Sequence, residues 1–140
     1  MNILSLLTPK EQTTFLNSKV TIRQVLEKFD YYKFTVVPLL DEEGHYIATV
    51  SEGDILRFIK NNCNFDLKMA EEQLVVNLDL YRPYNALHIN CTIKDVILLA
   101  MDQNFIPMID DRGVFIGIIK RKDIIKYFYQ KRYLDENNGI

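Results

Sequence analysis

Hydrophobic positions along this chain fall into short blocks that recur. After Thr21, residues Ile22, Val25, Leu26 and Phe29 are spaced i, i+3, i+4 and i+7, which places them on one helical face. Thr21 and Gln24 form a capping box, in which hydroxyl and side-chain amide satisfy N–H groups left over at the helix start. The same block returns later: Thr92 with Asp95, then a stripe of Ile93, Val96, Ile97 and Ala100. Each helix is followed by an apolar run, a polar turn and a second apolar run. Thr35-Val36-Val37-Pro38-Leu39-Leu40 and Phe105-Ile106-Pro107-Met108-Ile109 read as buried strands. Asp41-Glu42-Glu43-Gly44 and Asp110-Asp111-Arg112-Gly113 read as hairpin turns, with a glycine free to take positive φ. Residues 46–50 and 114–119 are the return strands. A closing helix follows each hairpin. Ile55, Leu56 and Ile59 are expected to face inward in the first, and Ile124, Ile125 and Phe128 in the second.

The two blocks share one register. Pro38 and Pro107 stand 69 positions apart, and Asp41/Asp110, Gly44/Gly113, Asp54/Asp123 and Ile55/Ile124 keep that offset without a gap. The chain is a duplicated unit, and the duplication governs the fold assignment. Around the repeats, residues 1–12 are expected to form a short apolar turn or helix that ends at Pro9. Residues 13–16 are expected to form a short strand, Asn17-Ser18-Lys19 a turn, residues 66–74 a short helix broken off by Arg82-Pro83-Tyr84, and Leu87-His88-Ile89 a strand. The resulting division is 1–64 for the first unit with its N-terminal segment, 65–86 for a connecting segment, and 87–140 for the second unit with its C-terminal helix.

With 140 residues, 48% of them hydrophobic, the chain can bury a core and is not disordered. A net charge of −2 argues against a nucleic-acid partner, because phosphate backbones call for a basic face. Cys63 and Cys91 are the two cysteines and form no Cys-x-x-Cys, so neither a disulfide framework nor a structural zinc is expected. No apolar run reaches the roughly 18 residues of a membrane span, and the N-terminus lacks the basic n-region of a signal peptide. These features predict a soluble cytoplasmic protein with no membrane partner.

The pattern x-Pro-x-x-Asp-x-x-Gly-x-x-x-Gly-x-x-[Ser/Thr]-x-x-Asp, preceded by a capped amphipathic helix, resembles the CBS domain. Two in register, from about Thr13 to Phe128, resemble the tandem CBS pair, or Bateman module. The resemblance implies an α+β (α/β) fold of two β-α-β-β-α units packed through their sheets with pseudo-twofold symmetry. It also implies two related clefts between the units, and dimerisation into a disc of four units. Such clefts often take adenine nucleotides. The last Asp of the motif then holds ribose hydroxyls, the Ser/Thr and helix start meet phosphate, and the strand before the Pro meets the base. Carried over by position, Ser51 and Asp54 serve one cleft and Asp123 the other, with Thr35, Val36 and Val37 or Phe105 and Ile106 along the base. Two positions depart from the pattern. Ala48 stands where the second unit has Gly117, a small-for-small change expected to matter little. Lys120 stands where Ser/Thr is expected, so that cleft is expected to recognise phosphate differently or not at all.

The residues themselves leave alternatives open. Ser51 with Asp54 is also what a helix start calls for, because both satisfy orphan N–H groups or the helix dipole. Lys120-Arg121-Lys122 places three cations where the helix already carries about half a positive charge. Either an anion binds there, or the long side chains splay into water. His45 in its turn reads as solvated, and His88 as a partly buried, hydrogen-bonded residue that could also touch ligand. No catalytic triad or Walker-type loop is legible, so no enzyme is expected. The turn carboxylates read as solvated, with no metal expected. Tyr127-Phe128-Tyr129 with Tyr133 is either ordinary amphipathic packing or a dimer interface. The combined expectation is a regulatory module, homodimeric and without a resident cofactor, that senses AMP, ADP, ATP or cyclic di-AMP and passes the signal to dimer geometry or a protein partner. The alternative is a ligand-free interaction or scaffolding module.

Overall fold

The computed structural model describes residues 2–33, 35–79 and 84–138, with side chains up to Tyr133. Within these, two compact units separate: Thr14–Tyr84, here the first unit, and Met1–Thr13 with Asn85–Ile140, the second.

The first unit contains β2 (Leu16–Asn17), α1 (Ile22–Tyr32), β3 (Val36–Leu40), β4 (Tyr46–Ser51), α2 (Glu52–Asn62) and α3 (Leu67–Glu71). Its sheet has the order β2-β3-β4, with β2 parallel and β4 antiparallel to β3. The Thr21–Gln24 capping box is present and opens α1. Ile22, Val25 and Phe29 are buried, and they pack with Leu16, Val37, Leu39, Val50 and Ile55 into one core. Asp66 caps α3, which is shorter than the pattern suggested. The break expected at Arg82-Pro83 lies outside the described residues.

The second unit repeats the order as β5 (Leu87–His88), α4 (Ile93–Ala100), β6 (Phe105–Ile109), β7 (Phe115–Lys120) and α5 (Arg121–Asn138). The Thr92–Asp95 box opens α4. Both hairpins shift register at the same step, between Leu39 and Leu40 and between Met108 and Ile109. Gly44 and Gly113 take φ of 85° and 78° in the turns, where a side chain would be strained.

The N-terminus departs from the sequence reading. Leu7–Pro9 form a strand, β1, antiparallel to β7, so the second sheet runs β1-β7-β6-β5. Ile3 and Leu6 are buried in the core of this second unit with Val96, Ile106, Met108 and Ile119. Residues 1–13 therefore group with the second unit rather than with the first, as the 1–64 division had it. The Ala48/Gly117 difference also has a cause. Gly117 has φ +150°, and a Cβ on it would lie 2.2 Å from the Thr8 carbonyl oxygen. Strand β1 can lie against β7 because residue 117 has no side chain. Ala48 is on β4, the last strand of its sheet among the described residues, so the small-for-small reading undervalued Gly117.

The closing helices correct a second expectation. Leu56 and Ile125 are exposed, by 63% and 62%, and Phe128 is also exposed. The inward stripe runs i, i+3, i+4 from Ile55 and i, i+3 from Ile124, and Leu56 and Ile125 fall about 100° to one side of it. Phe58, Ile59 and Tyr127 complete that face instead. Among the described residues, no helix is long and apolar enough to cross a membrane.

Candidate functional site

Each unit brings the start of a middle strand, the end of the return strand and the start of the closing helix to one place. In the first unit Val36 lies opposite Ser51, and the Glu52 N–H donates to the Thr35 carbonyl at 3.0 Å. In the second, Phe105 lies opposite Lys120, and the Arg121 N–H donates to the Asn104 carbonyl at 2.9 Å. Duplication thus reproduces the corner down to a single backbone hydrogen bond. Thr35 is exposed, Val36 half-buried and Val37 buried; Phe105 and Ile106 are buried. Asn104, the counterpart of Thr35, was missed in the sequence because its part is played by a backbone carbonyl.

The side chains at the two corners differ. Ser51 Oγ accepts from the Asp54 N–H at 3.1 Å and donates to Asp54 Oδ2 at 2.9 Å, while the Ser51 N–H donates to the same oxygen at 2.9 Å. The other carboxylate oxygen pairs with Arg57, one turn on. Asp54 is only 4% exposed. Its carboxylate is therefore engaged at its own helix start, by the cap and by Arg57.

At the second corner Lys120 replaces Ser51. A lysine ammonium has three donors and no acceptor, so no capping box can form. Asp123, half-buried at the third helical position, makes no hydrogen bond or ion pair among the described residues. Arg121 does not splay into water. Its Nε–H is shared between the carbonyls of Ala100 at 2.7 Å and Gln103 at 3.1 Å. These carbonyls sit at and just beyond the C-terminus of α4, where the dipole and orphan C=O groups favour a cation. Gln103 is itself buried. Its amide donates to the Asn85 and Phe105 carbonyls, both at 3.1 Å, and its oxygen accepts from the Asn85 N–H at 2.9 Å. Sequence reasoning missed Gln103, since nothing in its spacing signals partners that are backbone groups.

The other candidates resolve into local structure. Asp41 Oδ1 accepts the N–H groups of Glu43 and His45 at 2.9 and 2.8 Å, and Asp110 Oδ1 those of Arg112 and Val114 at 2.8 and 3.0 Å. These carboxylates shape their turns. Asp41, Glu43 and His45 bring ligand-type atoms within 4.8 Å of one another, but His45 Nδ1 is turned onto Asp41 Oδ2 at 3.1 Å. His88 Nδ1 accepts the Asn90 N–H at 3.0 Å. A neutral His88 therefore carries its proton on Nε2, which faces Asp111. Both cysteines are free thiols, and burial with help from the Asp95 charge pushes Cys91 up from its ordinary pKa. Tyr129 and Tyr133 are exposed and stack on each other, with ring centroids 6.3 Å apart.

Comparison with known proteins agrees with the duplicated corner. The family model described as CBS domain matches twice, at residues 9–61 and 79–130. No curated protein sequence matches the chain. Among solved structures, CbpB in complex with c-di-AMP superposes with a TM-score of 0.83 at 24% identity, over 97% of this chain and 91% of that one. The Listeria monocytogenes CbpB protein, also in complex with c-di-AMP, gives 0.83 at 17% identity over 96% and 99%. CBSX2 in complex with AMP gives 0.72 at 19% identity over 94% and 98%. At these identities the likeness concerns the fold.

Proposed function

Because the chain belongs to the CBS domain family, we propose that it is a regulatory rather than catalytic protein, and that it binds one adenine nucleotide at the start of α5. The observation that carries this reading is the state of Asp123. This half-buried carboxylate makes no hydrogen bond or ion pair among the described residues and follows Lys120 and Arg121 in the chain, ready for hydroxyl donors on one side of a polyanion. In the proposed complex the ribose hydroxyls donate to Asp123, phosphate faces Lys120 and the Nη groups of Arg121, and the base lies along the backbone of Phe105 and Ile106. AMP, ADP, ATP and cyclic di-AMP all fit this chemistry. The two ligands bound by the structural neighbours, c-di-AMP and AMP, both carry adenine.

The first corner favours a second, structural role. Asp54 is consumed by Ser51 and Arg57, so ligand there would have to break a capping box and an ion pair. Ser51, Thr35, Val36 and Val37 are assigned to shaping that corner. Occupancy at α5 acts on a homodimer in the cytoplasm, or on a partner protein, through its differential affinity for two states.

A thermal-shift panel tests the reading: AMP, ADP, ATP and cyclic di-AMP, with guanine analogues as controls. Ligand at a hundredfold excess over Kd stabilises by about 2.7 kcal/mol, a shift of several degrees for a chain of this size. A shift with an adenine ligand and none with its guanine counterpart supports the sensor. A flat panel contradicts it and leaves the ligand-free interaction module.

A further inference from the structure

Arg121 is held by one nitrogen and open at the other two. Nε–H is anchored on the Ala100 and Gln103 carbonyls, while the Nη groups make no hydrogen bond among the described residues. A guanidinium is planar and rigid, so fixing Nε fixes the direction of the remaining donors. The anchor depends on where the Gln103 carbonyl stands, and that is set by Gln103's own buried amide, which bridges Asn85 and Phe105. Every donor and acceptor of this amide is used except the second lone pair of its oxygen. Such a satisfied buried network rigidifies its members.

We propose that Gln103 is the positioning residue of the nucleotide site: its buried amide locks the α4–β6 corner so that the Ala100 and Gln103 carbonyls hold Arg121 with its Nη fork aimed at phosphate. This rests on the site assigned above. It gives Arg121 a part that a lysine at the same place could not play, because an ammonium has no fork to orient. The arrangement belongs to the second unit alone. The counterpart of Arg121 in the first unit is Glu52, which carries the opposite charge.

Two measurements test it. The first uses the ligand-free protein. In an NMR spectrum of the arginine side chains, the Arg121 Nε–H is expected to exchange with water at least about tenfold more slowly than those of exposed arginines such as Arg23, as a half-buried donor shared between two carbonyls should. Replacing Gln103 with Leu, or with Glu as the closer isostere, is expected to abolish that protection. An Arg121 Nε–H that exchanges like Arg23 overturns the proposal whatever ligand binds. The second is a double-mutant cycle on AMP binding, with adenosine as the phosphate-free control. Arg121→Lys and Gln103→Glu are each expected to weaken AMP by about tenfold, with the double variant no worse than either single one. The two singles are expected to change adenosine binding by the same small factor. Additive losses, or equal losses for AMP and adenosine, would mean that Gln103 acts only on stability. Wild-type protein that binds none of adenosine, AMP, ADP, ATP and cyclic di-AMP removes the nucleotide site, while the exchange measurement still decides whether Gln103 holds Arg121.

Discussion

The missing Cβ of Gly117 would stand 2.2 Å from the carbonyl oxygen of Thr8. That relationship joins the N-terminal strand to the second sheet, through the pairs Leu7/Ile119, Thr8/Ile118 and Pro9/Gly117. Gly117→Ala forces either β1 away from β7 or the backbone out of φ +150°. It is expected to lower stability by roughly 2 kcal/mol or more, measured by urea unfolding. The reverse change at the matching position, Ala48→Gly, is expected to cost only about 0.5–1 kcal/mol, the entropy of a glycine in a strand. Equal costs at the two positions would contradict the part assigned to β1.

The two motif aspartates are expected to respond differently. Asp54→Ala removes the acceptor of the Ser51 N–H and hydroxyl and leaves Arg57 without this partner. A loss of about 2 kcal/mol follows for the hydrogen bonds left unmade at the helix start, since the half-exposed Arg57 side chain can turn to water. Ser51→Ala loses one cap, about 1 kcal/mol. Asp123→Ala, with no such partners, is expected to stay within about 0.5 kcal/mol of wild type. Denaturant midpoints of the three variants give the comparison directly. A large loss for Asp123→Ala would mean that its carboxylate supports the fold.

Stability should fall at both ends of the pH scale, for different groups. At Asp41, partial burial pushes the carboxyl up, but hydrogen bonds from the His45 backbone and ring and from the Glu43 N–H outweigh it and hold it below the ordinary value. The Thr92 N–H and hydroxyl do the same for Asp95. Both folded pKa values are depressed, so their contribution is present above the unfolded value of about 4 and is lost as pH falls through the folded ones. Tyr46 has the opposite sign. Burial pushes its phenol from 10.0 to about 12, and its hydroxyl donates to the Tyr84 carbonyl at 2.8 Å while meeting Thr49 Oγ1 at 2.7 Å. Its contribution is complete below about 10 and disappears as pH rises towards 12. Unfolding followed at several pH values, with Tyr46→Phe beside wild type, is expected to show the alkaline decline shrinking in the variant. An unchanged decline assigns it elsewhere.

What could be read from the chain was whatever repeats or caps. The three capping boxes, the Asp-to-Gly hairpins and the 69-residue register follow from residue types at fixed offsets, and the helices and sheets form around them. Strand β1 could not be read that way. Three residues ending in proline carry no periodicity, and their partner β7 lies more than a hundred residues on. Its trace in the sequence was the glycine at 117, legible only once its neighbour is known. Leu56 and Ile125 were assigned inward because they are apolar, although the helical period turns them outward. At the site, the residue types were legible but their commitments were not. Asp54 and Asp123 look alike in sequence, and their difference lies in their donors: the Ser51 N–H and hydroxyl and Arg57 donate to Asp54, whereas Asp123 takes no such bond among the described residues. Gln103 was invisible because it works on backbone groups.

The most direct measurement is a calorimetric titration of AMP and of cyclic di-AMP into wild type, Asp54→Asn and Asp123→Asn. One adenine ligand is expected to bind at one site per chain, with affinity kept in Asp54→Asn and weakened more than about tenfold in Asp123→Asn, the size of a lost charge-assisted hydrogen bond. Two sites per chain, or a loss that follows Asp54 rather than Asp123, would contradict the assignment of the nucleotide to the start of α5.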